Sequence, residues 1–291
     1  MIDMLALIKR HIKCYLRDRW AVFFSFLSVF IILMLFVFFL GSYFDDIGQQ
    51  AGIDDNQASY IVYGWVFSGL LMVSSVTVPL GFLERMVQDQ TTRSMHDFQI
   101  TPLKRYKIVL SYLVAAVMIT LFMNAINLIV GLIIIYLNSG YIVPLLNLFG
   151  VIAMMALIAT LFSAAFFFFL SFFKSQNAHA TFATLVGTLI GFLGGLYVPI
   201  GALSSTIQNV LNALPFMQAA ALIRQVYMAE ALDIVFGPNE AARANYTSFY
   251  GVELTLFNQA LSTQTLLIIL ISLTIVILSA AIWRMRHLKI A

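Results

Sequence analysis

The sequence predicts an all-α integral membrane protein with six transmembrane helices. Composition is the first observation, because 62% of the 291 residues are hydrophobic and only 10% are charged, against about 25% charged residues in soluble domains. The second observation is that the apolar residues form six long runs without a single Asp, Glu, Lys or Arg. Each run is long enough for a helix to cross a hydrocarbon core of about 30 Å with its backbone hydrogen bonds satisfied. The predicted spans are Ala21–Gly41, Tyr60–Leu83, Ile108–Leu137, Pro144–Phe173, Ala178–Pro199 and Thr265–Trp283.

Residues 1–20 precede the first span and predict an amphipathic helix that lies in the membrane interface. One helical face is apolar and carries Leu5, Ile8, Ile12 and Tyr15. Another face is basic and carries Lys9, Lys13 and Arg17. A basic amphipathic helix next to a span is typical of an interfacial element. The alternative is a solvated helix end that only supplies positive charge.

The charges of the loops predict that both termini are cytoplasmic. The N-terminal segment, the loops after the second and fourth spans, and the C-terminal end hold 14 of the 16 Lys and Arg residues. The opposite loops hold eight of the 13 acidic residues and only Arg224 and Arg243. Because basic loops stay on the cytoplasmic side, residues 84–107 are predicted to be cytoplasmic and residues 201–264 external.

Residues 201–264 are too numerous and too apolar for a plain linker. The stretch "LSSTIQNVLNALPFMQAAALIRQVYM" predicts two short helices separated at Pro215. This pattern favours a re-entrant or surface-lying hairpin that is buried against protein.

Several classes of function are disfavoured by what the sequence lacks. It has no GxxxxGK motif, so it has no P-loop of its own for ATP. Its four histidines are scattered without carboxylates at ligand spacing, and Cys14 is the single cysteine, so we expect no metal site. The absence of acidic pairs from the spans argues against an intramembrane enzyme and against a proton relay.

Neutral polar and small residues mark two of the predicted spans. In the third span one helical face carries Thr120, Asn124, Asn127 and Gly131. An asparagine in lipid is costly without a partner, so this face contacts another helix or a wet cavity. Helix packing is favoured over a substrate path, and both stay open.

The fifth span contains Gly187, Gly191 and Gly195, which form two overlapping GxxxG steps. Such steps favour close helix packing, either within one subunit or between two. The phenylalanine-rich run Phe166–Phe169 is expected to face lipid or packed helices, with an aromatic drug-binding wall as the alternative.

Residues 84–107 interrupt the apolar runs with a dense set of polar residues. A short amphipathic helix is predicted to end near Gln99, because Pro102 disfavours helical geometry at the preceding Thr101. Met95 and Phe98 are apolar residues among charged ones. Apolar groups on a charged surface suit docking to a soluble partner, so these residues predict a cytoplasmic docking element.

The same segment resembles the loop after the second span in permeases of the type-2 ABC exporter family. The residues that fit the family pattern are Glu84, Arg85, Ser94, Met95, Phe98, Thr101 and Pro102. Arg93 stands where the family has Gly, and His96 stands where it has Glu, with Asp97 next to it.

The region after the fifth span is similar to the same family. Gly195, Pro199, Pro215 and Arg224 fall at the matching places. Ser204-Ser205 replaces a Leu-Pro-like step, and Glu230 lies where glycine is common. With six spans and an N-terminal interfacial helix, the resemblance extends over nearly the whole chain.

The resemblance implies a membrane subunit of a bacterial cytoplasmic membrane that pairs with a second copy or a paralogue. Each permease would bind a separate cytoplasmic ATPase subunit, which holds the ATP and Mg. The loop after the second span, with His96 and Asp97, would be the coupling helix seated in a cleft of that ATPase. The chain itself would bind no cofactor, no metal and no nucleic acid, and would not be an enzyme.

The resulting expectation is the permease half of an exporter for an amphipathic or hydrophobic substrate, such as a drug, antibiotic or peptide. One alternative is the export of a lipid-linked glycan or a lipid. Another is a membrane anchor or sensor that recruits a cytoplasmic partner without transport. A secondary transporter is disfavoured because the spans are free of charge and show no inverted repeat.

Overall fold

The computed structural model describes residues 2–20, 22–23, 26, 30–31, 34, 53–91, 105–173, 175–257 and 259–287. The helices are α1 (Ile2–Arg17), α2 (Asp55–Thr91), α3 (Arg105–Ser139), α4 (Leu145–Leu170), α5 (Gln176–Leu193), α6 (Ser205–Ala213), α7 (Pro215–Tyr227), α8 (Ala229–Phe236), α9 (Glu240–Phe249) and α10 (Thr263–His287). A 3-10 turn at Ile200–Ala202 precedes α6, and strands β1 (Leu254–Leu256) and β2 (Gln259–Leu261) precede α10. The described residues are therefore helical except for one antiparallel hairpin, which the all-α prediction did not include.

Four of the described helices, α2, α3, α4 and α10, are long and apolar enough to cross a membrane. They coincide with the second, third, fourth and sixth predicted spans, so the sequence located these four correctly. Of the first predicted span, Ala21–Gly41, the structure describes only residues 22–23, 26, 30–31 and 34, and these are helical.

The fifth predicted span is shorter than expected, because α5 ends at Leu193 and not near Pro199. Gly195 has a left-handed backbone with φ of +60°, which glycine adopts without a steric penalty at the end of a helix. The backbone N–H groups of Leu196 and Tyr197 turn back to the Gly191 carbonyl oxygen at 2.8 and 3.2 Å. The prediction that Gly195 continues the helical glycine face of this span was therefore wrong.

Helix α2 is the central element of the bundle. Of its most apolar stretch 89% is buried, against 22% for α10. It packs on α3, α4, α5, α7 and α8, whereas α10 packs mainly on α4 and more weakly on α3 and α7. Because α2 leads into residues 92–104, the central helix is continuous with the predicted docking element.

The 201–264 segment packs on α2 through α7 and α8. The predicted break at Pro215 is confirmed, since α6 ends at Ala213 and Pro215 is the first residue of α7. Leu214 between them is extended with ψ of 142°, because a residue that precedes proline avoids helical geometry. Proline at the first helical position loses no hydrogen bond, so it starts α7 without cost.

The buried face of α1 overlaps the predicted one only in part. Ile8 and Tyr15 are buried and Ile12 is partly buried, as predicted, but Leu5 is 60% exposed, and Leu7 and His11 are buried as well. Helix α1 packs on α3, and the contact includes a hydrogen bond between His11 and Ser111. The apolar pattern indicated this face only in part, because its central residue is polar.

Candidate functional site

Helices α1, α2 and α3 meet around a buried carboxylate at the end of α2. The hydroxyl group of Tyr112 on α3 donates to Oδ2 of Asp89 on α2 at 2.5 Å. The guanidinium of Arg10 on α1 lies 3.9 Å from the same oxygen. Asp89 is only 7% exposed, so its charge depends on these two partners, since a buried carboxylate is stable only when it is paired and hydrogen-bonded.

His11 adds a second link between α1 and α3. Its Nε2 lies 3.1 Å from Oγ of Ser111, and its ring centroid is 3.9 Å from that of Tyr112. Burial, together with the smaller effect of the charges of Arg10 and Arg85, lowers the pKa of His11 to about 3. The imidazole is therefore neutral at neutral pH. We call His11, Arg10, Asp89, Ser111 and Tyr112 the junction cluster.

The junction cluster lies at the base of the predicted coupling loop. Of the residues that fit the family pattern, Glu84 is exposed and Arg85 is half-buried, both on α2. The remaining predicted coupling residues lie outside the described residues, namely Ser94, Met95, His96, Asp97, Phe98, Thr101 and Pro102. Residues 92–104 are thus flanked by two helices that are hydrogen-bonded to each other and to α1.

Sequence reasoning did not identify the junction cluster. His11 follows Ile8 by three residues and precedes Tyr15 by four, a spacing that places it on the same helical face. That spacing was the one available signal. Asp89 and Tyr112 gave no comparable signal, because they stand 23 residues apart on either side of the loop.

The polar face of α3 packs against α2. Nδ2 of Asn124 donates to Oγ of Ser75 at 2.6 Å, and Nδ2 of Asn127 donates to Oγ of Ser74 at 3.0 Å. The Thr120 hydroxyl donates to the Ala116 carbonyl oxygen of its own helix at 2.8 Å.

The next residue of that face, Gly131, lets the two helices approach closely. A Cβ atom at this position would lie 2.7 Å from Cδ1 of Phe67. Together with the two asparagine–serine bonds, this contact shows that the polar face lies against α2 within the subunit.

The three glycines of the fifth predicted span have different surroundings. A Cβ atom at Gly187 would meet no described atom within 4 Å, whereas one at Gly191 would lie 2.2 Å from the Tyr197 ring. Gly195 is part of the turn that ends α5. Among the described residues, the structure therefore assigns close approach to Gly191, and the atoms nearest to it belong to Tyr197 of the returning chain.

Arg224 on α7 is a buried cation without a neighbouring carboxylate among the described residues. Its guanidinium donates to the carbonyl oxygens of Gly194, Gly195 and Gly251 at 3.1, 2.9 and 3.2 Å. It also lies 5.3 Å from the ring centroid of Trp65 on α2. Burial lowers the pKa of Arg224 to about 9, so the group stays charged at neutral pH.

Two of the three carbonyl groups that Arg224 contacts are at the C-terminal end of α5, where the helix dipole favours a cation. The residue therefore ties α7 to α5, to α2 and to the turn before β1. Among the other predicted residues of this region, Pro199 directly precedes the 3-10 turn and Pro215 begins α7.

An apolar groove of about 340 Å³ lies between α4, α5, α7 and α10, and every residue that lines it is apolar. The rings of Phe162 and Phe216 are stacked there, with centroids 5.1 Å apart and an interplanar angle of 7°. Phe166 and Phe182 meet edge to face at 6.2 Å. We call this feature the phenylalanine groove.

The described residues contain no group of three or more His, Cys, Asp or Glu side chains that could hold a metal ion. The charged side chains that are buried among the described residues are Asp89 and Arg224.

A family model matches most of the chain. Residues 3–228, from α1 to the end of α7, match the family described as ABC-2 type transporter. No curated protein matches the chain. The match is to the membrane domain, and no nucleotide-binding domain is found in the chain. Permeases of this family typically have six spans and generally pair with an ATPase subunit. This chain belongs to the ABC-2 type transporter family, as a multi-pass membrane component of such a transporter.

Proposed function

We propose that the chain is the transmembrane subunit of an ATP-driven exporter and works as a pair with a second permease. Its substrate is amphipathic or hydrophobic, such as a drug, antibiotic or peptide, and moves out across the cytoplasmic membrane. The observation that carries this proposal is the phenylalanine groove, because its lining offers neither a charge nor a hydrogen bond to a small ion. Its volume of about 340 Å³ lies in the usual range for a site of a small organic molecule.

Coupling to the ATPase passes through residues 84–102 in this proposal. The junction cluster supports it, because Asp89 and Tyr112 tie together the helices that flank residues 92–104. A displacement of the docked loop then moves α1, the end of α2 and the start of α3 as one unit. Helix α2 carries the displacement onward, since it packs on α4, α5 and α7, which line the groove.

A lipid or lipid-linked glycan is the second candidate substrate. The wholly apolar lining of the groove also suits an acyl chain, whose methylene groups gain free energy when they leave water. The headgroup of such a lipid would lie outside the groove.

The test is transport by the chain together with its ATPase, reconstituted in proteoliposomes. A Phe166→Ala/Phe182→Ala variant enlarges the groove and removes aromatic contacts. We expect it to lower export of a hydrophobic dye at least about fivefold, since each lost aromatic contact weakens binding by about 1 kcal/mol, while basal ATP hydrolysis persists. The matched control is Phe149→Ala, because Phe149 lies on the same helix but is 63% exposed.

Equal export by the groove variant and by the control would overturn the assignment of the groove. A fluorescent short-chain phospholipid, measured in parallel, separates the two substrate classes. If only the phospholipid is moved, the lipid exporter replaces the drug or peptide exporter as the function.

A further inference from the structure

Helix α1 carries three exposed basic residues on the side opposite to its buried face. Lys9, Lys13 and Arg17 are exposed, and they follow one another at intervals of four residues, so they share one side of the helix. His11 and Tyr15 are buried on the other side, where α1 packs on α3. No Asp or Glu stands three or four residues from any of the three cations, so the helix itself offers them no ion-pair partner. We call Lys9, Lys13 and Arg17 the basic face.

An apolar edge runs beside the basic face. Leu5 and Leu16 are 60% and 41% exposed, and eleven residues, or about three helical turns, separate them. The two leucines therefore align along the helix, and Lys9 follows Leu5 by one turn. Neighbouring apolar and basic side chains on one exposed surface are typical of a helix in a membrane interface, where the apolar groups enter the acyl region and the basic groups reach the headgroups.

Contacts with two spans place α1 at the membrane boundary. Arg10 lies 3.9 Å from Asp89 near the end of α2, and His11 lies 3.1 Å from Ser111 near the start of α3. Both α2 and α3 are long and apolar enough to cross a membrane. Their joined ends therefore lie where the spans leave the bilayer, on the side that the loop charges predict to be cytoplasmic.

The chain continues from α1 toward the first predicted span through exposed aromatic residues. Trp20 is 70% exposed and follows the end of α1 by three residues. Its ring meets that of Phe23, which is 52% exposed, edge to face at 6.2 Å. Tryptophan is enriched at the level of lipid headgroups. The exposed side chains of α1 and of the start of the span are contiguous along the chain, so one lipid surface can cover both.

The charge balance of this region indicates which kind of lipid it contacts. Five Lys and Arg residues stand between positions 9 and 19, against the single acidic residue Asp18. Clusters of four to eight basic residues on an amphipathic helix attract anionic headgroups. A surface of anionic lipid complements both the charges of the basic face and the apolar edge of Leu5 and Leu16.

We propose that the basic face of α1 binds the headgroups of anionic phospholipids in the adjacent leaflet. Phosphate oxygens accept hydrogen bonds from Lys9, Lys13 and Arg17, while the apolar edge enters the acyl region. Because Arg10 and His11 of the same helix belong to the junction cluster, the bound lipid also holds α1 against the ends of α2 and α3. This inference depends neither on the exported substrate nor on the ATPase.

The experiment measures how strongly phosphatidylglycerol is enriched next to α1. The full chain with Trp283→Phe is reconstituted without an ATPase in phosphatidylcholine vesicles, which contain an equal small fraction of brominated phosphatidylglycerol or of brominated phosphatidylcholine. Bromine quenches tryptophan on contact, so exposed Trp20 reports on lipid near α1, whereas Trp65 is only 3% exposed. We expect about fivefold enrichment of phosphatidylglycerol, because one basic residue near an anionic membrane surface strengthens the attraction by about that factor.

Two triple variants and a salt series locate the enrichment. Lys9→Gln/Lys13→Gln/Arg17→Gln removes the basic face and leaves the junction cluster unchanged, so we expect the enrichment to fall below about twofold. The matched control is Lys174→Gln/Arg286→Gln/Lys289→Gln, which removes three charges from other segments of the predicted cytoplasmic side and keeps the enrichment. Raising the salt concentration from about 0.1 M to about 1 M shortens the Debye length from about 10 Å to about 3 Å, so it lowers the enrichment as well.

The proposal is overturned if the two brominated lipids quench Trp20 equally while the basic face is intact. It is also overturned if both triple variants lose the same enrichment, or if the enrichment persists at about 1 M salt. Size-exclusion profiles report whether each variant is folded, and if the α1 variant does not fold, the salt series and the control variant decide. If phosphatidylglycerol is not enriched and the α1 variant loses its ATPase instead, the basic face binds a protein and the lipid assignment is wrong.

Discussion

Tyr112 and Asp89 form a buried hydrogen bond of 2.5 Å between the two helices that flank residues 92–104. The same carboxylate lies 3.9 Å from Arg10 of α1. Three helices are therefore joined at the base of the one loop through which an ATPase is proposed to act. The proposed coupling depends on this junction, because a displacement of the loop would reach the ends of all three helices.

The first prediction concerns Tyr112→Phe, which removes the hydroxyl donor and leaves the ring in place. A hydrogen bond to a charged group contributes about 1.5–3 kcal/mol, so we expect the free energy of unfolding to fall by about that amount. Substrate export per ATP hydrolysed should fall as well, because the ends of α2 and α3 next to the loop lose the hydrogen bond that joins them. Thermal unfolding in nanodiscs and transport in proteoliposomes measure the two effects.

Tyr106→Phe is the matched control for this substitution, since Tyr106 is on the same helix but is 45% exposed. Surface substitutions usually change stability by less than about 0.5 kcal/mol. If Tyr112→Phe keeps wild-type stability and coupling, the junction cluster has no role in transmission.

The second prediction concerns the pH dependence that His11 contributes. Its folded-state pKa is lowered from 6.5 to about 3 by burial and by Arg10 and Arg85, although Asp89 also lies in the cluster. Between these values the unfolded chain binds a proton at His11 that the folded protein does not bind. The contribution of His11 to the free energy of unfolding therefore has its highest value above about pH 6.5. Below that pH the free energy of unfolding falls by up to about 1.4 kcal/mol for each pH unit.

His11→Gln should flatten this part of the pH profile, because glutamine keeps a hydrogen bond to Ser111 and takes up no proton. Unfolding at a series of pH values between about 7 and 5 measures the difference between variant and wild type. His11 is the one titratable group that differs between the two proteins, so the difference between their profiles reports on His11. Parallel profiles would show that the imidazole is not held neutral.

The third prediction concerns Arg224→Met, which keeps much of the side-chain volume and removes the guanidinium. The carbonyl groups of Gly194, Gly195 and Gly251 then lose their donor. We expect a loss of about 3 kcal/mol or more in stability, because buried acceptors are left without a donor. Limited proteolysis within residues 201–264, together with thermal unfolding, measures this loss.

Arg224→Lys should recover only part of the lost stability. The single ammonium nitrogen of lysine cannot replace the planar guanidinium, whose N–H groups donate to carbonyl oxygens of two chain segments. Arg243→Gln is the control because it removes an equal charge from the exposed ion pair with Asp233. An exposed pair contributes less than about 1 kcal/mol. Equal effects of the substitutions at Arg224 and Arg243 would contradict the structural role of Arg224.

The sequence predicted the parts of the fold that depend on local chain properties. The four described spans followed from uncharged apolar runs, and the break at Pro215 followed from the restricted geometry before proline. The end of α5 was missed because a hydropathy pattern continues through Gly194 and Gly195, although the left-handed turn at Gly195 ends the helix.

The candidate site depends on contacts between distant parts of the chain, and these were harder to predict. The buried face of α1 was predicted only in part, because its central residue, His11, is polar and is hydrogen-bonded to Ser111, which stands 100 residues away. The resemblance to a family singled out Arg224 as a residue of interest. It could not indicate the three carbonyl groups that Arg224 contacts, because these contacts depend on how α7 packs on α5 and α2.

The fourth prediction tests whether the polar face of α3 stabilises helix packing or lines a path. Nδ2 of Asn124 donates to Oγ of Ser75 at 2.6 Å, so Asn124→Ala, Ser75→Ala and the double variant form a double-mutant cycle. We expect a coupling energy of about 0.6 kcal/mol and at most about 1.7 kcal/mol, as for other hydrogen bonds between helices in membranes. A cycle of Asn124→Ala with Thr188→Ala should give a coupling near zero, since exposed Thr188 bonds only to its own helix among the described residues. If the Asn124–Ser75 coupling is also near zero and the substitutions alter which substrate is exported, the face lines a path.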